Sequence, residues 1–201
     1  MEASFLSRHP FLKDALNIAL FVALVVIGTV LINTFVFRSY NVVGPSMEST
    51  MYTGDRLLVN RLAVTWAHIK GDSYLPDRGQ VIVFENPQVT LSGNVENKFI
   101  VKRVIGLPGE RVVLKDGSFT VYNDEHPDGF NPDELTKDVT ASTTTGETDV
   151  MVPDNEIFVA GDHREGTFSY DSRNGLGTIP LYDVIGPASL RIYPFTKLRA
   201  F

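Results

Sequence analysis

Phe99-Ile100-Val101-Lys102-Arg103-Val104-Ile105-Gly106-Leu107-Pro108-Gly109-Glu110-Arg111-Val112-Val113-Leu114-Lys115-Asp116-Gly117-Ser118-Phe119-Thr120-Val121-Tyr122 is the stretch whose pattern decides the fold. Three short runs rich in Val, Ile, Phe and Tyr are cut apart by Gly106-Leu107-Pro108-Gly109 and by Asp116-Gly117. β-branched and aromatic residues suit a pleated surface, and Gly and Pro punctuate it. Asp-Gly between two such runs is a strong hairpin signal, because both residues accept the positive φ of a two-residue turn. The stretch therefore reads as consecutive antiparallel strands.

Outward from it the pattern continues. Leu57-Leu58-Val59 follows the turn Gly54-Asp55, and Val81-Ile82-Val83-Phe84 ends at Asn86-Pro87. Ile157-Phe158-Val159-Ala160 and the run from Ala188 to Tyr193 complete the set. Residues 38–201 are expected to form one mainly β domain. Residues 61–70, with Trp66, read as a short helix or an irregular segment. Thr140 to Thr148 is rich in Thr and has no apolar run. Residues 123–153 therefore read as an acidic insertion, a mobile loop or small lid.

Upstream of the β pattern, Ala15 to Phe37 gives 23 residues without a charge. As a helix this run would span ~34 Å, enough for a bilayer core. A cleaved signal peptide is the alternative, but its apolar region is usually shorter, and no small-x-small pattern follows Phe37. Residues 15–37 are expected to be an uncleaved transmembrane helix, with residues 1–14 as a short tail. Arg8 and Lys13 precede the span and Arg38 follows it, so charge alone hardly chooses an orientation.

The chain has 201 residues, 43% of them hydrophobic, and no cysteine. That excludes a thiol nucleophile, a zinc–thiolate site and disulfides. The net charge of -6 argues against a nucleic-acid partner. Asp124 to Glu156 holds ten acidic residues and one base, a net of -9, so the remainder carries +3 and can approach an anionic membrane.

Three stretches could carry chemistry. Asn41 to Met51 holds Ser46 behind Gly44-Pro45. A serine hydroxyl is a weak nucleophile until a base takes its proton, and serines at such turns are ordinarily structural. Lys102 shares a strand face with Ile100 and Val104. It could snorkel from an edge to water. Burial there would instead lower its pKa from ~10.4 toward ~8 and make it a base, a change not open to arginine. Gly161 to Gly175 is a dense polar segment. Asp162, His163, Glu165 and Asp171 could bind a metal, although their spacing fits no calcium loop. A solvent-exposed loop braced by its own ion pairs explains them equally. A Ser–His–Asp set of Ser46 with His68, His126 or His163 also stays open.

Four segments, in order, resemble bacterial type I signal peptidases, membrane-anchored serine–lysine proteases. They are Gly44 to Met47, Gly54 to Asn60, Lys102 to Glu110, and Gly161-Asp162 through Ser169-Tyr170-Asp171-Ser172-Arg173. The resemblance implies an antiparallel β catalytic domain on a single anchor, with the N-terminus cytoplasmic and the domain outside the cell membrane. It makes Ser46 the nucleophile, with its backbone N–H in the oxyanion hole. Lys102 becomes the base and Ser169 the residue orienting it. Val42, Val43, Met47, Met51, Ile100 and Val101 become the lining of shallow apolar substrate pockets. Arg103, Asp162, Asp171 and Arg173 become structural support. It further implies signal peptides of exported precursors as substrates, a lipid bilayer as surroundings, a monomeric state, and no need of a metal or cofactor. Three positions depart from the family pattern: Ser49 stands for proline, Gly44 for a serine found in Gram-negative members, and His163 for asparagine in a segment two residues longer than usual. A serine–lysine protease with another substrate, such as a self-cleaving repressor, would lack the anchor. A non-catalytic anchored β module is the remaining alternative.

Overall fold

The structure, a computed structural model, describes residues 9–86, 98–136, 139 and 143–201. Residues 1–8 of the expected tail, and residues 137, 138 and 140–142 of the expected lid, lie outside the described residues.

The helix α1 runs Pro10–Leu31, and a wider π-helical turn, Ile32–Val36, continues it. It starts earlier than the uncharged run, because Pro10 at the first position needs no N–H partner and its fixed φ already suits a helix. It ends one residue before the expected boundary, where Phe37 turns extended. Phe11–Val36 is long and apolar enough to cross a membrane, and an 18-residue stretch of it averages a hydropathy of 2.7 with no residue buried by the rest of the protein.

The remainder is antiparallel β. The strands are β1 (Phe37–Asn41), β2 (Arg56–Asn60), β3 (Val81–Glu85), β4 (Phe99–Gly106), β5 (Arg111–Lys115), β6 (Ser118–Tyr122), β7 (Thr148–Met151), β8 (Glu156–Ala160), β9 (Ile179–Pro180), β10 (Val184–Tyr193) and β11 (Arg199–Ala200). One sheet runs β1-β2-β10-β3-β4-β8-β9, with β11 beside β10, and a second runs β6-β5-β7. Between β2 and β3 the chain forms α2, Leu62–Ile69, which settles the choice left open for residues 61–70.

The β5–β6 hairpin turns at Asp116 and Gly117, whose φ values of 52° and 79° suit the two-residue turn that Asp-Gly encodes. β3 and β8 are buried on both faces, which explains their unbroken apolar runs. Ile82, Phe84, Val104, Val159 and Ile179 form one core. Leu114, Phe119, Val121 and Phe158 form a second between the sheets. Glu110 closes the Gly-Leu-Pro-Gly turn by accepting from the Leu107 N–H at 2.8 Å and from Arg78 at 2.5 Å.

The acidic stretch is more folded than a surface excursion. Phe130 exchanges two backbone hydrogen bonds with Val121. Asn131 caps the short turn Pro132–Leu135. Asp133 grips Arg164, whose side chain is wholly buried. Thr144 is buried, with its N–H on the Gly117 carbonyl, and β7 pairs with β5.

Candidate active site

Ser46 sits in a loop between β1 and β2. The loop is closed at its base, where the Val42 N–H donates to the Asp55 carbonyl and the Gly54 N–H to the Val42 carbonyl. The buried Asp55 is held by Arg191 of β10 at 2.9 Å, and the same guanidinium takes the Thr50 carbonyl. In the sequence Asp55 stands in the Gly54-Asp55 turn and in the segment Gly54 to Asn60, and nothing local marks Arg191 as its partner.

Lys102 lies in β4 opposite Ile82 of β3 and is 3% exposed. Its Nζ is 2.7 Å from Ser46 Oγ and donates to the Val101 carbonyl at 2.9 Å. Burial pulls its pKa down from 10.5 to about 8, and Arg173 works in the same direction, against the carboxylates of Asp171 and Asp162. A neutral amine has one lone pair. With an N–H engaged by Val101, that lone pair can face the serine proton.

The third segment braces this pair. The His163 N–H donates to the Ser46 carbonyl at 3.1 Å, and His163 Nδ1 lies 3.2 Å from the Pro45 carbonyl. His163 thus meets the nucleophile loop through its backbone, while Ser46 Oγ is met by Lys102. A Cβ on Gly161 would lie 2.2 Å from Ser169 Oγ and 2.3 Å from the Ser46 carbonyl oxygen, so only glycine fits. Ser169 is fully buried there. Its hydroxyl makes no hydrogen bond of ordinary geometry among the described residues. Arg103 binds Asp162 through two hydrogen bonds of 2.8 and 2.7 Å, and Arg173 binds Asp171 likewise at 3.0 and 2.7 Å. The two aspartates weighed as metal ligands are therefore each committed to an arginine. Burial works to raise the Asp171 carboxyl, but Arg173 and the Gly161 N–H outweigh it and hold it below the usual carboxylate range.

A cleft of about 630 Å³ opens beside Ser46 and Lys102. Val42, Val43, Ile100 and Val101 line it. Met47 and Met51 do not: both are wholly buried, packed with Leu57, Val81 and Ala188. They follow the tight turn at Pro45 into the core and serve as the loop's hydrophobic root. The cleft wall adds Leu57, Val83, Phe168 and Tyr170. The two aromatics are exposed on either side of buried Ser169, so an alternating pattern could have pointed them outward.

An amine of lowered pKa against a serine hydroxyl, beside an apolar cleft on an antiparallel β domain, defines the class of serine–lysine hydrolases. The family described as signal peptidase, peptidase S26, matches residues 14–193, and the chain belongs to it. A signal peptidase I P from Bacillus subtilis subsp. natto is 31% identical over 90% of this chain and 89% of its own length. A signal peptidase I S from Bacillus subtilis (strain 168) is 33% identical over 93% and 94%. A crystal structure of a signal peptidase I from Enterococcus faecalis aligns with a TM-score of 0.42 and 26% identity, covering 57% of this chain and 97% of that one.

Proposed function

We propose that this membrane-anchored peptidase removes signal peptides from exported precursors, with Ser46 as nucleophile and Lys102 as general base. The observation that carries the reading is the 2.7 Å approach of a buried amine, with its pKa drawn down to about 8, to the serine hydroxyl. The Ser46 proton passes to Lys102 Nζ as Oγ attacks the scissile carbonyl, and the Ser46 N–H receives the developing oxyanion. The Lys102 ammonium then protonates the leaving amine. Neutral again, it takes a proton from the water that hydrolyses the acyl ester. In this reading Ser169 takes the role of orienting Lys102, and the Arg103–Asp162 and Arg173–Asp171 pairs hold the scaffold. The apolar cleft suits small residues before the cut.

The test is cleavage of an exported precursor in detergent by the wild type, by Ser46→Ala and by Lys102→Arg. Only the wild type should cut, and only proteins with Ser46 should react with a serine-directed acylating probe. Cleavage by Ser46→Ala would sink the reading, and absence of labelling would favour a binding module. We further propose that the N-terminus is cytoplasmic. The natural absence of cysteine makes this directly measurable. Ser118→Cys should react with an impermeant maleimide on intact cells, and Ser7→Cys only after permeabilisation.

A further inference from the structure

The membrane-crossing helix does not end freely. Where a helix stops, the carbonyls of its last residues have no partner inside it. Here three consecutive ones are taken by α2 and the residue before it. The Arg61 N–H donates to the Val36 carbonyl at 2.8 Å, Arg61 Nη1 to that of Thr34 at 2.6 Å, and Thr65 Oγ1 to that of Phe35 at 2.9 Å. The Arg61 charge also sits at the negative end of the helix dipole. On its inner side α2 buries Val64, while Leu62, Trp66 and Ile69 are 48%, 62% and 70% exposed. These three stand at i, i+4 and i+7, one stripe of the helix surface. Lys70 Nζ lies 5.6 Å from the Trp66 ring centre at the stripe's end.

We propose that α2 is a foot resting on the membrane. Arg61 and Thr65 cap it rigidly to the anchor, and Leu62, Trp66 and Ile69 lie in the interfacial layer of the bilayer. The catalytic cleft is thereby held at one height and rotation above the lipid. The occupant is the bilayer because α2 is bonded to the last turn of the helix that crosses it, and Ile32 and Phe35 of that turn are themselves exposed and apolar. Tryptophan with an N–H edge and lysine with an apolar stem are the side chains this layer accepts. The purpose rests on the peptidase reading, since a substrate held by its own apolar segment presents its cut site at a fixed depth.

The experiment uses the full chain reconstituted in phosphatidylcholine–phosphatidylglycerol vesicles, with two substrates: a short soluble peptide and a precursor inserted in the same vesicles. The variants are Leu62→Ser/Trp66→Ser/Ile69→Ser and Arg61→Gln/Thr65→Val. Each should cut the soluble peptide like wild type and lose about tenfold or more on the inserted precursor, as expected when a reacting group is misplaced. Arg61→Lys should recover part of the loss. Trp66, the chain's only tryptophan, should be quenched most by lipids brominated near the headgroup. Equal effects on both substrates, no effect on either, or no quenching by brominated lipid would each overturn the proposal. Failure of the wild type to cut the peptide would instead strike the peptidase reading, leaving the quenching to decide the role of α2.

Discussion

Lys102 weakens the fold by the same burial that equips it for chemistry. In the proposed mechanism only its neutral form accepts the serine proton, so kcat/KM for a peptide should rise with pH and reach half its plateau near pH 8. Lys102→Arg should be inactive at every pH, because arginine does not deprotonate in this range. A sigmoid centred near 6.5, the ordinary histidine value, would restore a histidine base. Stability follows from the same shift. Between about 8 and 10.5 the unfolded chain binds a proton at this site that the folded one does not, so wild-type stability rises with pH across that window. Below it the folded state carries a penalty on the order of 3 kcal/mol. Lys102→Met should therefore unfold at a higher temperature than wild type at pH 7, and the gain should shrink toward pH 10. Calorimetry at both pH values checks it, and an equal or lower Tm at pH 7 would refute it.

Among the elements, the acidic stretch differs most from its reading in the sequence. Charge density and threonine content suggest a solvated loop, and nothing local announces that Asp133 meets Arg164 thirty-one residues later. Asp133→Ala should leave a buried, uncompensated guanidinium and lower stability by about 3–5 kcal/mol, whereas Arg164→Met should be much milder. Chemical denaturation of the two variants distinguishes them, and equal losses would show that the pair itself is not what holds the segment. The contrast with the hairpin at Asp116-Gly117 is instructive. There two adjacent residues carry the backbone requirement, so sequence alone suffices. β3 and β4 were legible because apolar runs and their terminating Gly, Pro and Asn residues are local. β7, Thr148–Met151, was not, since its alternation is weak and its pairing with β5 is remote. Ser46 and Lys102 stand out in their motifs, but their 2.7 Å approach joins the β1–β2 loop to β4, and no local signal announces it. Met47 and Met51 look like pocket residues beside a nucleophile, and only the loop's path shows that they point inward.

Across the whole molecule, the nucleophile loop depends on a residue 136 positions away, because Arg191 neutralises Asp55 at its base. Arg191→Met should leave Asp55 buried without its cation, lower stability by several kcal/mol, and reduce kcat by loosening the loop. Asp55→Asn in that background should recover part of the stability, and denaturation with peptide assays of both single variants and the double variant measures the coupling. An Arg191→Met protein with full activity and unchanged stability would dissociate the loop from β10. The seat of β10 between β2 and β3 has another consequence, one of timing. A ribosome delivers the chain from the N-terminus, so Ser46 and Lys102 both emerge well before residues 184–193. Until those residues arrive, β2 and β3 have no common neighbour, Asp55 has no cation, and the sheet that carries the pair is open along its middle. A nascent copy therefore lacks the assembled sheet around Ser46 and Lys102 until residues 184–193 have been made.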